Sequence, residues 1–194
     1  MDITTGSDGN LWFSEDAYFY LGKTTPAGVT TTYTIPQTTY GAYGNFTGVT
    51  LGPDGNIWAT DIAFPGLMQI VKATPDGNLS TFPIGNNLTA SAITTGPDGN
   101  LWFTSQDNVS GNVILDRMAT TGNLIQFPVP SQFSNPKFIV TGPDNNLWFT
   151  EFGTFGKNPT GGKIARATPS GGDNRVQPAR RELRPVGNHS RSRR

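Results

Sequence analysis

The chain has 194 residues, of which 35% are hydrophobic and 14% charged, with 24 Gly, 15 Pro and no Cys. That balance argues for short strands joined by turns rather than helices, and it excludes disulfides and thiolate metal sites. The formal net charge of zero hides a split: residues 1–170 carry seven basic against twelve acidic side chains, while residues 171–194 carry seven Arg against Asp173 and Glu182.

The N-terminal Met1-Asp2-Ile3-Thr4 leads directly into Gly6-Ser7-Asp8-Gly9-Asn10-Leu11-Trp12-Phe13. No leader is visible, and the compartment stays open: cytoplasmic, or secreted if an N-terminal leader is missing. A second turn follows at Thr25-Pro26-Ala27-Gly28, then a strand ending in Tyr33-Thr34-Ile35-Pro36. The same order returns from Thr47. Thr47 to Leu51 predicts a strand, and Pro53-Asp54-Gly55 a tight turn. In that turn Pro presets φ, Asp bonds its own backbone and Gly accepts a positive φ. Asn56 to Asp61 predicts the next strand, with Ile57 and Ala59 on one face and Trp58 and Thr60 on the other. Leu67 to Thr74 predicts a third, Pro75-Asp76-Gly77-Asn78 a turn, and Leu79 to Phe82 a fourth strand ended by Pro83.

Two further copies begin at Gly96-Pro97-Asp98-Gly99-Asn100-Leu101-Trp102 and Gly142-Pro143-Asp144-Asn145-Asn146-Leu147-Trp148. Their second turns are Thr120-Thr121-Gly122-Asn123 and Thr168-Pro169-Ser170-Gly171. The four Trp of the chain, Trp12, Trp58, Trp102 and Trp148, are thus spaced by 46, 44 and 46 residues. A period in this range signals a repeat architecture. Two tight hairpins per repeat predict an all-β fold: a partial, open β-propeller of about four four-stranded antiparallel blades, near 1–45, 46–89, 90–134 and 135–170. The Trp series admits two uses, a stacking platform or packing between blades; one Trp per repeat at one register points to packing.

Residues 171–194 break the pattern, and no aromatic-Pro strand end follows Gly171. This predicts a last blade that is incomplete and an irregular, basic, disordered tail, the product of truncation or out-of-frame translation. A nucleic-acid-binding arm is the alternative for so many Arg, but nucleic acid is not the expected partner. No apolar run approaches membrane-spanning length, so no membrane is expected either. An open arc leaves raw sheet faces at both ends, which predicts self-association through open blade edges.

Chemistry in a propeller is expected at the channel mouth, where a small-molecule or peptide ligand would bind. The candidates follow the Trp strand: Glu15, Asp16, Asp61, Asp107 and Glu151. Converging carboxylates could hold a hard cation or act as acid and base.

The two repeated phrases together resemble the streptogramin (virginiamycin B) lyase family. The likeness is carried by Gly96–Thr104, Gly142–Glu151 and Lys163-Ile164-Ala165-Arg166-Ala167-Thr168-Pro169, and it spans residues 3 to about 170. NHL and gluconolactonase-type propellers are a looser match. The resemblance implies a seven-bladed fold and a magnesium-assisted elimination that linearises a cyclic depsipeptide antibiotic, with a His base and a Glu metal ligand in late blades. Glu151 matches the Glu of the family phrase, and Glu15 is the other Glu of the body, so these two are the metal candidates. The only His is His189, in the tail. The expectation is therefore a lyase-like fragment that is catalytically incomplete by itself. Two alternatives stay open: a working lyase once further blades or a partner complete it, or a non-catalytic scaffold for protein or glycan.

Overall fold

The computed structural model describes residues 2–15, 20–34, 44–63, 67–132, 135–152, 162–171 and 175–178. Sixteen strands lie among them, in four antiparallel meanders. Blade 1 holds β1 (Ile3–Thr5), β2 (Leu11–Glu15), β3 (Tyr20–Thr24) and β4 (Thr30–Thr34). Blade 2 holds β5 (Gly44–Leu51), β6 (Ile57–Ala63), β7 (Leu67–Ala73) and β8 (Leu79–Asn86). Blade 3 holds β9 (Leu88–Thr95), β10 (Leu101–Asp107), β11 (Asn112–Met118) and β12 (Leu124–Gln132). Blade 4 holds β13 (Pro136–Thr141), β14 (Leu147–Glu151), β15 (Lys163–Ala167) and β16 (Arg175–Pro178). The first strands β1, β5, β9 and β13 are neighbours in space and form the inner wall of an open arc.

The first turn of each blade shows why this phrase recurs. In blade 2 the Gly52 N–H donates to the Asn56 carbonyl at 2.8 Å and the Gly55 N–H to the Gly52 carbonyl at 3.1 Å. This three-residue loop needs a left-handed last residue. Gly55 supplies it at φ 76°, and in blade 4 Asn145 does so at φ 55°, because Asn is the residue after Gly that best tolerates that region. The Asp of the turn accepts from the indole Nε1–H four residues on, at 2.9 Å for Trp58, Trp102 and Trp148 and 3.3 Å for Trp12. The indole edge then lies so close over the leading Gly that a Cβ at Gly52 would stand 2.3 Å from Trp58.

A cation on the third strand caps each indole. Lys23, Lys72, Arg117 and Arg166 pair in register with Trp12, Trp58, Trp102 and Trp148 and sit 5.3 to 6.0 Å from the ring centroids. Tyr33 and Phe127 stack on Trp12 and Trp102, and Phe82 lies tilted against Trp58.

The alternation of each second strand then builds three seams. Trp12 packs with Ile57, Ala59, Val71 and Ala73; Trp58 with Leu101, Phe103 and Met118; Trp102 with Leu147, Phe149, Ala165 and Ala167. Trp12, Trp58 and Trp102 are fully buried, so the Trp series is packing between blades. Hydrogen bonds cross the same seams. The Lys23 ammonium donates to the Pro75 carbonyl, and the Arg117 guanidinium to that of Pro169. The Thr95 hydroxyl donates to the Leu51 carbonyl, and the Thr141 hydroxyl to that of Thr95.

Two expectations need correction. The fourth strand of blade 2 does not stop at Pro83 but runs to Asn86, and β12 likewise passes through Pro128 and Pro130. These are outermost strands, where a missing N–H costs no ladder bond on the outer side. The register shift opposite Met68 and Gln69, and that between Asn112 and Ile114, absorb the irregularity. Second, the blade pattern does not end at residue 170: Arg175–Pro178 forms β16 and pairs with β15, Ile164 against Gln177. The strand exists without the aromatic because a ladder needs only extended backbone. Ile35-Pro36, Asp16 and residues 179–194 lie outside the described residues.

Candidate functional site

At the end of the blades away from the Asp-Trp turns, the second strand carries two polar positions per repeat. The first lies two residues after the Trp and is always a hydroxyl: Ser14, Thr60, Thr104 and Thr150. Ser14 Oγ accepts from the Asp2 N–H at 2.8 Å, Thr60 Oγ1 from the Gly48 N–H at 2.8 Å, and Thr150 Oγ1 from the Phe138 N–H at 3.2 Å. In blades 2, 3 and 4 the inner-strand pairing slips at this level, between Phe46 and Gly48, opposite Phe103 and Ser105, and between Pro136 and Ile139. A bulge frees an inner-strand N–H from the ladder and turns the strand. The hydroxyl satisfies that N–H in blades 2 and 4.

The second position lies three residues after the Trp and is Glu15, Asp61, Ser105 and Glu151. Three of the five predicted site residues thus share one register. The fourth, Asp107, does not: it sits two residues beyond Ser105 and caps a hairpin, accepting from the Val109 N–H at 2.8 Å and the Ser110 N–H at 3.2 Å. These bonds, Val109 first, hold its carboxyl below the usual range. Asp16 lies outside the described residues.

The shared register puts these groups against the seams. Asp61, Ser105 and Glu151 are buried, while Glu15 is half-buried. Asp61 Oδ2 accepts from Gln69 Nε2 at 2.7 Å. Ser105 Oγ donates at 2.6 Å to Asp116 Oδ2, whose other oxygen accepts from Gln126 Nε2 at 2.8 Å. Burial pushes the Asp116 carboxyl up to about 6, against the two hydrogen bonds that favour its anion. Glu151 differs from both: it is 1% exposed and neither carboxylate oxygen has a hydrogen-bond partner. A buried carboxylate without partners is costly.

Sequence reasoning passed over Asp116, Gln69 and the four capping cations. Counting from the Trp would have replaced Asp107 by Ser105. A cation two residues before the second-turn Thr in three repeats (Lys23, Lys72 and Arg166), and three before it in the other (Arg117), was the signal for the caps.

The comparisons with known proteins turn on this scaffold. The virginiamycin B lyase family model matches residues 1–187. The chain belongs to that family. Among solved structures, a catalytically inactive virginiamycin B lyase from Staphylococcus aureus, in which one His is replaced by Ala and which holds quinupristin, is 31% identical with a TM-score of 0.70. The match covers 90% of this chain and 53% of that one. A streptogramin B lyase structure is 30% identical with a TM-score of 0.69, covering 90% and 52%. The PQQ-bound aldose sugar dehydrogenase from Streptomyces coelicolor, 17% identical with a TM-score of 0.59 over 86% of this chain and 58% of that one, shares the fold alone. No curated protein sequence matches. This virginiamycin B lyase-type chain therefore spans about half the length of the solved lyases it resembles.

The magnesium that the family implies can be tested against the residues present. Oxygen donors suit a hard cation, and the unpartnered Glu151 carboxylate fits as one ligand. Glu15 is engaged in other interactions. Among the described residues no three His, Asp or Glu side chains group closely enough to hold a metal. One ligand fits; a complete set is not assembled there.

Proposed function

We propose that this chain is a streptogramin-lyase-type propeller segment that does not turn over its antibiotic alone. The observation that carries this reading is that the sole imidazole, His189, follows the last described strand in the sequence. The elimination needs a base to take a proton from the carbon beside the one that bears the ester oxygen, so that a C=C bond forms as the C–O bond breaks and the carboxylate leaves. A neutral imidazole suits that task near pH 7. In the S. aureus relative, replacing a single His leaves the enzyme catalytically inactive while quinupristin is still bound. Asp116, the carboxyl that burial raises to about 6, is already engaged by Ser105 and Gln126.

In this reading Glu151 is the cation ligand of blade 4, held by β14 and backed by the Leu147 and Phe149 face. Bound magnesium would polarise the substrate carbonyl and acidify the neighbouring C–H. The blade seams keep the Glu151 carboxylate shielded from water and fixed in direction.

Incubation with a streptogramin B and Mg²⁺ tests the proposal. The reaction conserves mass, so the readout is chromatographic retention and the absorbance of the new unsaturated product. We expect neither to change; turnover by the chain alone would overturn the reading. The rival, a working lyase completed by further blades or a partner, draws on the coverage of about half the relatives' length. It is favoured if a segment supplying a His restores ring opening.

A separate measurement bears on Glu151. Replacing it by Gln removes one carboxylate oxygen and keeps the shape of the side chain. Mg²⁺ should raise the melting temperature of the wild type and leave that of Glu151→Gln unmoved. Equal metal responses would remove Glu151 as a ligand.

A further inference from the structure

We propose that the open face of blade 4 docks the open face of blade 1 of a second copy of this chain, head to tail. Three internal seams define what such a contact requires. In each, an indole face meets an inner-strand apolar residue and two apolar residues of the next second strand. Those three positions are Val49, Ile57 and Ala59 in blade 2, Ile93, Leu101 and Phe103 in blade 3, and Ile139, Leu147 and Phe149 in blade 4, all buried. The register makes Ile3, Leu11 and Phe13 their equivalents in blade 1. Ile3 is 60% exposed, Leu11 41%, and Phe13 is half-buried.

The opposite end of the arc is the complementary half. Trp148, alone among the four Trp, is only half-buried. It lines an apolar groove with Phe138, Val140, Thr150 and Ile164. Val140, in register with Trp148, is 56% exposed. This groove continues, at the end of the arc, the interface that the molecule has already formed three times.

The polar ties of the seams are also left open in matching pairs. Lys23 and Arg117 donate to the carbonyl of the Pro in the next blade's second turn. The equivalent cation on the open face is Arg166, and the equivalent carbonyl on blade 1 is that of Pro26. Thr95 and Thr141 donate their hydroxyls to the preceding blade's inner strand. Thr5 holds that position in blade 1 and is exposed; its acceptor would be the Thr141 carbonyl of the other copy. Gly77, Gly122 and Gly171 lie against Tyr33, Phe82 and Phe127 of the preceding blade, while a Cβ at Gly28 would meet nothing within 4 Å. The aromatic that would fill this last socket is missing, since Gln177 stands in its register. The docked seam therefore reproduces the Trp core, the cation tie and the Thr tie, and lacks the aromatic stack.

The contact is heterologous: the two faces differ, so each copy keeps one free half unless the ring closes. That asymmetry supplies the test. Sedimentation velocity of the full chain across a concentration series should show species at twice the 20.8 kDa chain mass or larger. Val140→Glu on one face and Leu11→Glu on the other change exposed residues, so both variants should fold, as circular dichroism will check. Each alone should lose association. Mixed, they should form a one-to-one dimer, because the Val140→Glu copy retains an intact blade 1 and the Leu11→Glu copy an intact blade 4 face. A wild type that stays monomeric throughout, either variant associating as the wild type does, or a mixture that remains monomeric would overturn the proposal.

Discussion

Trp102→Ala should destabilise the chain by about 3–5 kcal/mol, whereas Trp148→Ala should cost well under half of that. The two side chains share a phrase, an Asp hydrogen bond at 2.9 Å and a capping Arg. They differ in what lies beyond the ring. Trp102 is closed over by Leu147, Phe149, Ala165 and Ala167, and its removal opens a cavity between two rigid sheets. It also leaves Asp98 Oδ1 with the Asn100 N–H but without the indole donor, and removes the ring stacked on Phe127. Trp148 faces the open groove, so solvent fills the space it leaves and no cavity term arises. Urea unfolding of both variants measures the contrast. Equal losses would mean that blade 4 is covered on its outer face as the other blades are, and the open-arc geometry would fail with it.

The repeat itself was plain in the amino-acid string because each of its parts answers a local demand. The turn needs an Asp followed by a left-handed residue, with Pro before them in three of the four copies; the indole needs the Asp and a Gly without a Cβ beneath it. These spacings are fixed within a few residues, so the order of turns, the alternation of Ile57 and Trp58 and the packing role of the Trp series follow from the string alone. Features that depend on register between strands were not legible. Pro83 looks like a stop until β8 is seen to be an outermost strand, where its missing N–H costs little. Arg175–Pro178 has no apolar pattern, and only the waiting edge of β15 makes it a strand. Asp107 looked equivalent to Glu15 and Glu151 by its nearness to the Trp strand. The true equivalent is Ser105, and the difference of two residues moves a group from a buried seam to an exposed hairpin.

The candidate site was half legible for the same reason. That carboxylates gather after the Trp could be counted. That Asp61 is tied to Gln69 while Glu151 is left without a hydrogen-bond partner depends on the third strand and on the neighbouring blade. Those contacts join residues with no fixed spacing. Asp116 was the least visible: a lone Asp in Val-Ile-Leu-Asp-Arg-Met says nothing until Ser105 and Gln126 are placed around it.

That Asp should give the chain an unusual pH profile. Burial raises its folded carboxyl to about 6 from the ordinary 3.8, so between those values the folded state holds a proton that the unfolded state has released. Stability is therefore greatest below about pH 4 for this group and falls as pH rises through 6, by on the order of 2–3 kcal/mol. The turn carboxylates act in the opposite direction but in another window. Burial works upward on Asp8 and Asp54, yet the hydrogen bonds from their Asn and Trp neighbours win and hold both below 3.8. Their stabilisation is complete above that value and disappears only under stronger acid. The two effects do not cancel between pH 4 and 7, where Asp116 decides the slope. Asp116→Asn removes the titrating group and keeps the cluster: the amide oxygen still accepts from Gln126, and the Ser105 hydroxyl turns to accept from the amide N–H. The variant should be more stable than the wild type at pH 8, should lose that advantage at pH 4, and should melt at a nearly constant temperature between. Thermal melts of both proteins across this range measure it, and parallel curves would show that Asp116 is ionised as readily in the blade seam as in the unfolded chain.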